Sequence, residues 1–150
     1  MQLDPSQAST YGRQAWDQIY FGAPAEGLVT LAKEAEINPD SLRGDDYQSA
    51  VCRAHLALGH YDEAINSCDK AAGGGGGEDA GTQIFLAAAY AHKGEAAKAL
   101  AARNRAQLLL PGITIGSWKG ICSQFSDTPA YWEQQERYIL PGMRKAGFSE

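Results

Sequence analysis

The feature that most constrains this chain is its punctuation. Pro5 and Pro39, each preceded by an apolar and a polar residue (Leu3-Asp4 and Ile37-Asn38), stand 34 residues apart, and Leu109-Leu110-Pro111 supplies a looser copy 72 residues further on. Glycines keep the same beat: Gly22, Gly59 and Gly94 follow one another at 37 and 35 residues, each between two stretches with helical patterning. A glycine tolerates the positive φ of a tight turn and a proline cannot continue a helix, so the spacing predicts short helices joined in pairs. One such pair cannot bury its own apolar face, so at least three must stack, with capped ends.

The two clearest units align Leu58-Gly59-His60-Tyr61-Asp62-Glu63-Ala64-Ile65 with Lys93-Gly94-Glu95-Ala96-Ala97-Lys98-Ala99-Leu100, keeping the glycine and the Ala-aliphatic pair in register. Small residues let antiparallel helices approach closely. The third unit carries Leu86, Ala87, Tyr90, Gly94, Ala99, Ala106 and Pro111; the second carries Cys52, Gly59, Tyr61, Ala64 and Ala71. This pattern resembles the tetratricopeptide repeat. The first unit matches least: Ala15, Gly22, Gly27 and Pro39 fit, but Gln14 and Glu34 stand where an apolar and a small residue are expected. The resemblance implies an all-α, tetratricopeptide-type helical-repeat solenoid of about three helix pairs in a single domain. Its repeats fall at about 8–41, 45–78 and 80–113, with a C-terminal cap over 114–150.

Two departures lengthen connections. Gly73 through Gly77 replace the proline signal of the second unit and, followed by Glu78-Asp79 rather than Lys-Ser/Thr, read as a loop and not as a phosphate cradle. Ser41-Leu42-Arg43-Gly44 add residues after Pro39. In the cap, Ile113 to Trp118 lead into one brief helix ending near Gln124. Thr128 before Pro129 is a start signal for a capping helix from Pro129 to Leu140, closed by Pro141-Gly142. Trp118, Phe125, Tyr131, Trp132 and Tyr138 read as the apolar underside of that cap, with an exposed docking patch as the alternative.

The repeats followed by Leu110-Pro111-Gly112-Ile113-Thr114-Ile115, then Asp127-Thr128-Pro129-Ala130-Tyr131, then Gly142 to Glu150, are similar to the C-terminal repeat region of bacterial adenylate/guanylate cyclase-like proteins. Winged-helix transcriptional regulators with repeat tails are the competing parent. The resemblance implies a non-catalytic protein-protein interaction and scaffolding module, regulatory within a larger signalling protein; self-association is the alternative. Leu3-Asp4-Pro5 match the end of a preceding repeat, as an excised fragment would. None of a cyclase's own features carries over.

Charge and composition narrow the function further. The net charge is −5 and no basic stripe appears, so a nucleic-acid partner is not expected. No stretch reaches the roughly 18 apolar residues of a membrane span, and the N-terminus lacks a secretory pattern, which together predict a cytoplasmic chain without membrane insertion. Cys52, Cys68 and Cys122 are odd in number and lack C-x-x-C spacing, so reduced structural thiols are expected, with neither a disulfide framework nor a metal site. Cys52 and His55 share a helical face, but Cys52 holds a packing position where a thiol is inert. No catalytic residue, cofactor or metal is assigned.

The repeat resemblance also implies a concave, mixed and mostly apolar groove. It would comprise Trp16, Ile19 and Tyr20, then Asp46, Ser49, Arg53 and Leu56, then Ile84, Ala88, Ala91 and His92. A protein or peptide segment, including the upstream domain of the same chain or a second copy, could lie there with Arg53 anchoring a carboxylate. The alternatives are a solvated inner wall or a groove filled by the C-terminal helix. The carboxylate clamp of chaperone-tail receptors is missing, since Gly12, Trp16, Ala50, Gly81 and Phe85 occupy its positions.

Overall fold

The computed structural model describes residues 5–73 and 79–150, and no strand occurs among them. Residues 74–78 of the expected glycine loop and Leu3-Asp4 of the first repeat ending lie outside the described residues. Six helices form three antiparallel pairs: α1 (Pro5–Tyr20) with α2 (Pro24–Ile37), α3 (Asp45–Ala57) with α4 (Tyr61–Gly73), and α5 (Ala80–His92) with α6 (Ala96–Leu109). Each pair packs on the next through α2 against α3 and α4 against α5, and α1, α3 and α5 form the inner layer.

The turns explain the glycine beat. Gly22, Gly59 and Gly94 have φ of 84°, 77° and 77°, and the amides that follow the helix ends bond back to Gln18 and Ile19, His55 and Leu56, and Tyr90 and Ala91. Each glycine thereby satisfies carbonyls that the helix leaves unpaired. The inserted Ser41 to Gly44 is not slack: Pro39–Arg43 forms a 3-10 turn, held by Gln48 Nε2 donating to the Leu42 carbonyl at 2.6 Å.

Small residues bring the layers together. Ala15, Ala50 and Ala54 are fully buried beside Ile19 and Leu31, and Ala64, Ala87, Ala88 and Ala106 are likewise buried in the larger core. The Glu34 carboxylate of the first pair lies over Gly12, where a Cβ would come within 2.9 Å of Oε2.

Cys52 and Cys68 correct the expectation of free thiols: they form a disulfide across the α3–α4 pair, with Cα atoms 5.2 Å apart. Both sit at buried positions where the two helices face each other, and cysteine parity carries no information about that proximity. Cys122 is free and buried.

The C-terminal segment, residues 110–150, turns back over the inner layer. Helix α7 (Ile115–Cys122) starts with a capping box in which Thr114 and Ser117 bond reciprocally, and α8 (Pro129–Gln134) follows. Thr128 precedes it without making a side-chain cap bond. The expected stop at Pro141-Gly142 does not occur. Helix α8 (Pro129–Gln134) passes through a π-helical turn (Gln135–Ile139) into α9 (Leu140–Ala146). Pro141 lacks an N–H and would crowd the carbonyl four residues back, and the wider π turn just before it accommodates that loss. The stop is Gly147, φ 95°, where Phe148 and Gly147 amides bond to the Met143 and Arg144 carbonyls. Ile139, Leu140 and Met143 are buried in the same core as Leu56, Ile84 and Ala88.

Candidate binding groove

Helices α1, α3 and α5 present the residues assigned to the groove on one side, and the C-terminal segment divides that side in two. Over α5 the face is covered. Ile84 and Ala88 are 0% exposed, and a Cβ on Gly142 of α9 would lie only 2.6 Å from Ala88 Cβ, so the two helices touch backbone to backbone. His92 Nε2 donates to the Tyr138 carbonyl at 2.6 Å while Lys145 Nζ lies 3.3 Å from Nδ1, and the Tyr61 ring stacks at 4.7 Å. Burial holds the His92 pKa below its ordinary value and Lys145 adds to this, against the opposing bond to Tyr138. Leu56 is wholly buried, and Ala91 is half-buried against the core.

Between the halves, Ile19, Tyr20 and Arg53 meet Tyr131, Gln135 and Ile139 around a small, partly open pocket. Tyr131 is buried, and burial pushes its hydroxyl pKa far up; the neighbouring Cys122 thiol is raised for the same reason. Two long-range bonds fasten the cap to the first pair: Ser126 Oγ donates to the Tyr20 carbonyl at 2.5 Å and Gln134 Nε2 to the Gly22 carbonyl at 2.9 Å.

The other half stays open. Trp16, Asp46, Ser49 and Arg53 line a cleft of about 300 Å³ with Asp45, Ala71 and Asp79. Trp16 Nε1 donates to Asp46 Oδ2 at 3.2 Å. The Arg53 guanidinium lies 5.2 Å from the Trp16 ring centre and 4.6 Å from that of Phe85, and donates to the Tyr20 hydroxyl at 3.1 Å. Gly81 leaves it room, since a Cβ there would come within 2.9 Å of an Arg53 terminal nitrogen. Arg53 is therefore built into the wall, and the open cleft around it is predominantly acidic.

The sequence pattern did not point to Asp45 and Asp79 as neighbours of this cleft, nor to Phe85 as the second ring against Arg53. For Phe85 a signal was present, because an aromatic three residues before the groove position Ala88 is within reach of a guanidinium on the neighbouring helix. His55 and His60 approach with Nδ1 atoms 3.2 Å apart at the α3–α4 turn. Among the described residues, no group of three or more His, Cys, Asp or Glu side chains converges as a metal site requires, and no helix is long and apolar enough to cross a membrane. No family model, no curated protein and no solved structure matches the chain.

Proposed function

We propose that the chain is a tetratricopeptide-type solenoid acting as a non-catalytic protein-protein interaction module, whose open inner cleft between α1 and α3 receives a segment of a partner. The observation that carries this reading is that the inner layer already holds a helical segment of its own: α9 lies on α5 at van der Waals distance through Gly142 and Ala88. A surface shaped to take a helix over one half, and left open as a cleft over the other, suits helix or peptide docking. The likeness of the repeats and tail to bacterial adenylate/guanylate cyclase-like proteins adds regulation of a signalling parent to the reading.

A cytoplasmic location goes with such a role. The Cys52–Cys68 bridge stands against it, because disulfides are rare under reducing conditions.

The test is affinity capture from the native host with the wild-type chain and a Ser49→Tyr variant, which fills the cleft. A partner retained by the wild type and lost by the variant supports the function. Recovery of the same proteins by both, or of none, contradicts it. Self-association is favoured by a different observation, the exposed Leu100, Leu108 and Leu110 on and after α6. A concentration-dependent dimer mass by light scattering, abolished by Leu108→Glu, would support that second reading.

A further inference from the structure

Phe21 and Phe125 are 69% and 59% exposed, on the walls of a second cleft of about 300 Å³ between the end of α1 and the loop leading into α8. The cleft is aromatic in depth. Trp16 stacks on Tyr20 at 5.8 Å and 23°, and Tyr20 on Phe125 at 5.4 Å and 15°, so three rings stand nearly parallel. Asp17 and Asp127, both exposed, flank them. Trp16 also borders the α1–α3 cleft, where Asp45, Asp46 and Asp79 lie, so one aromatic ridge separates two acidic hollows.

Among the described residues, five carboxylates thus line the two clefts against a single basic side chain, Arg53. Its guanidinium is already committed between the Trp16 and Phe85 rings and to the Tyr20 hydroxyl. The fold itself therefore uses Trp16 to hold a guanidinium. Ring faces attract cations, and flanking carboxylates strengthen that attraction and repel anionic partners. The net charge of −5 acts in the same direction at long range.

We infer that the Trp16–Tyr20–Phe125 ridge binds an arginine- or lysine-rich segment of a partner protein, with a basic side chain in the Phe21–Phe125 cleft held by Asp17 and Asp127. This rests on the protein-binding function proposed above and names the chemistry of the partner.

The test is amide chemical-shift mapping on the full chain, titrated with a blocked peptide of alternating arginine and glycine, and with its glutamate and glutamine counterparts. The expected result is saturable shifts at the end of α1 and at 125–128 with the arginine peptide alone, weakened by added salt. Phe125→Ala should weaken binding about fivefold and the Asp17→Asn/Asp127→Asn pair about tenfold. All three positions are exposed, and circular dichroism and melting establish that the variants fold. Absence of shifts, shifts on another face, equal binding of the glutamate or glutamine peptide, or unchanged binding by the variants overturns the inference. A partner captured in the Ser49→Tyr comparison whose bound segment carries no basic residues would overturn the cationic chemistry and leave the protein-binding function standing. Failure of that capture contradicts the function itself.

Discussion

Arg53 is the side chain on which the two halves of the inner face turn. It reaches from α3 to Tyr20 on α1 and to Phe85 on α5, so its loss removes a charge-assisted bond and two ring contacts together. Arg53→Ala is expected to cost about 1–3 kcal/mol in chemical denaturation, and Arg53→Lys to restore little of it, because an ammonium cannot stack flat between two rings. A lysine variant as stable as the wild type would show that the stacking is incidental. Cys52 and Cys68 close a loop of 16 residues, for which loss of the cross-link costs about 3 kcal/mol. The denatured, unreduced chain should therefore alkylate at Cys122 alone and at all three cysteines after reduction. Three accessible thiols without reductant would contradict the bridge. The sequence could not reveal it, since Cys52 read as a small packing position, an odd number of cysteines read as reduced thiols, and only the facing of α3 and α4 brings the pair together.

At the scale of the element, α9 decides how much of the inner face is open. Gly142 faces Ala88 so closely that a methyl group would meet backbone as well as side chain, with Ala88 Cα and O at 2.8 and 2.9 Å. Gly142→Ala should destabilise by about 1–3 kcal/mol and speed amide exchange in α9 before the three helix pairs. Uniform exchange through the whole chain would mean that α9 is no separable latch. His92 makes the same contact sensitive to pH. Its folded pKa lies below the ordinary 6.5, so the folded state binds fewer protons there than the unfolded chain. The stability it contributes is present above about 6.5 and is lost as pH falls through the depressed folded value. His55, lowered by burial and then by His60, acts in the same sense. Melting temperatures should fall from pH 7.5 to pH 5, and His92→Gln should flatten that fall; an unaltered slope would remove His92 from the account. The helix pairs were legible because Gly22, Gly59 and Gly94 act locally, through φ. The passage of the last helix through Pro141 was not, because its accommodation depends on a π turn that no periodicity announces.

For the molecule as a whole, the stacked pairs follow from small residues recurring at a helix-pair spacing, which is why the pairing of neighbouring helices could be read from the sequence. The covering of α5 could not. It depends on bonds such as Ser126 to Tyr20 and Gln134 to Gly22, which join residues 106 and 112 positions apart. Of the predicted groove, Trp16, Asp46, Ser49 and Arg53 come together around the open cleft, whereas Ile84, Ala88 and His92 lie against the chain's own cap. The open half of the inner face is where a partner is proposed to bind. A photocrosslinking amino acid placed at Ser49, with a control at exposed Glu26 on α2, tests it in the cell. The expected result is a crosslink to a different protein at Ser49 and none at Glu26. No crosslink at Ser49, or one joining two copies of this chain, would contradict it.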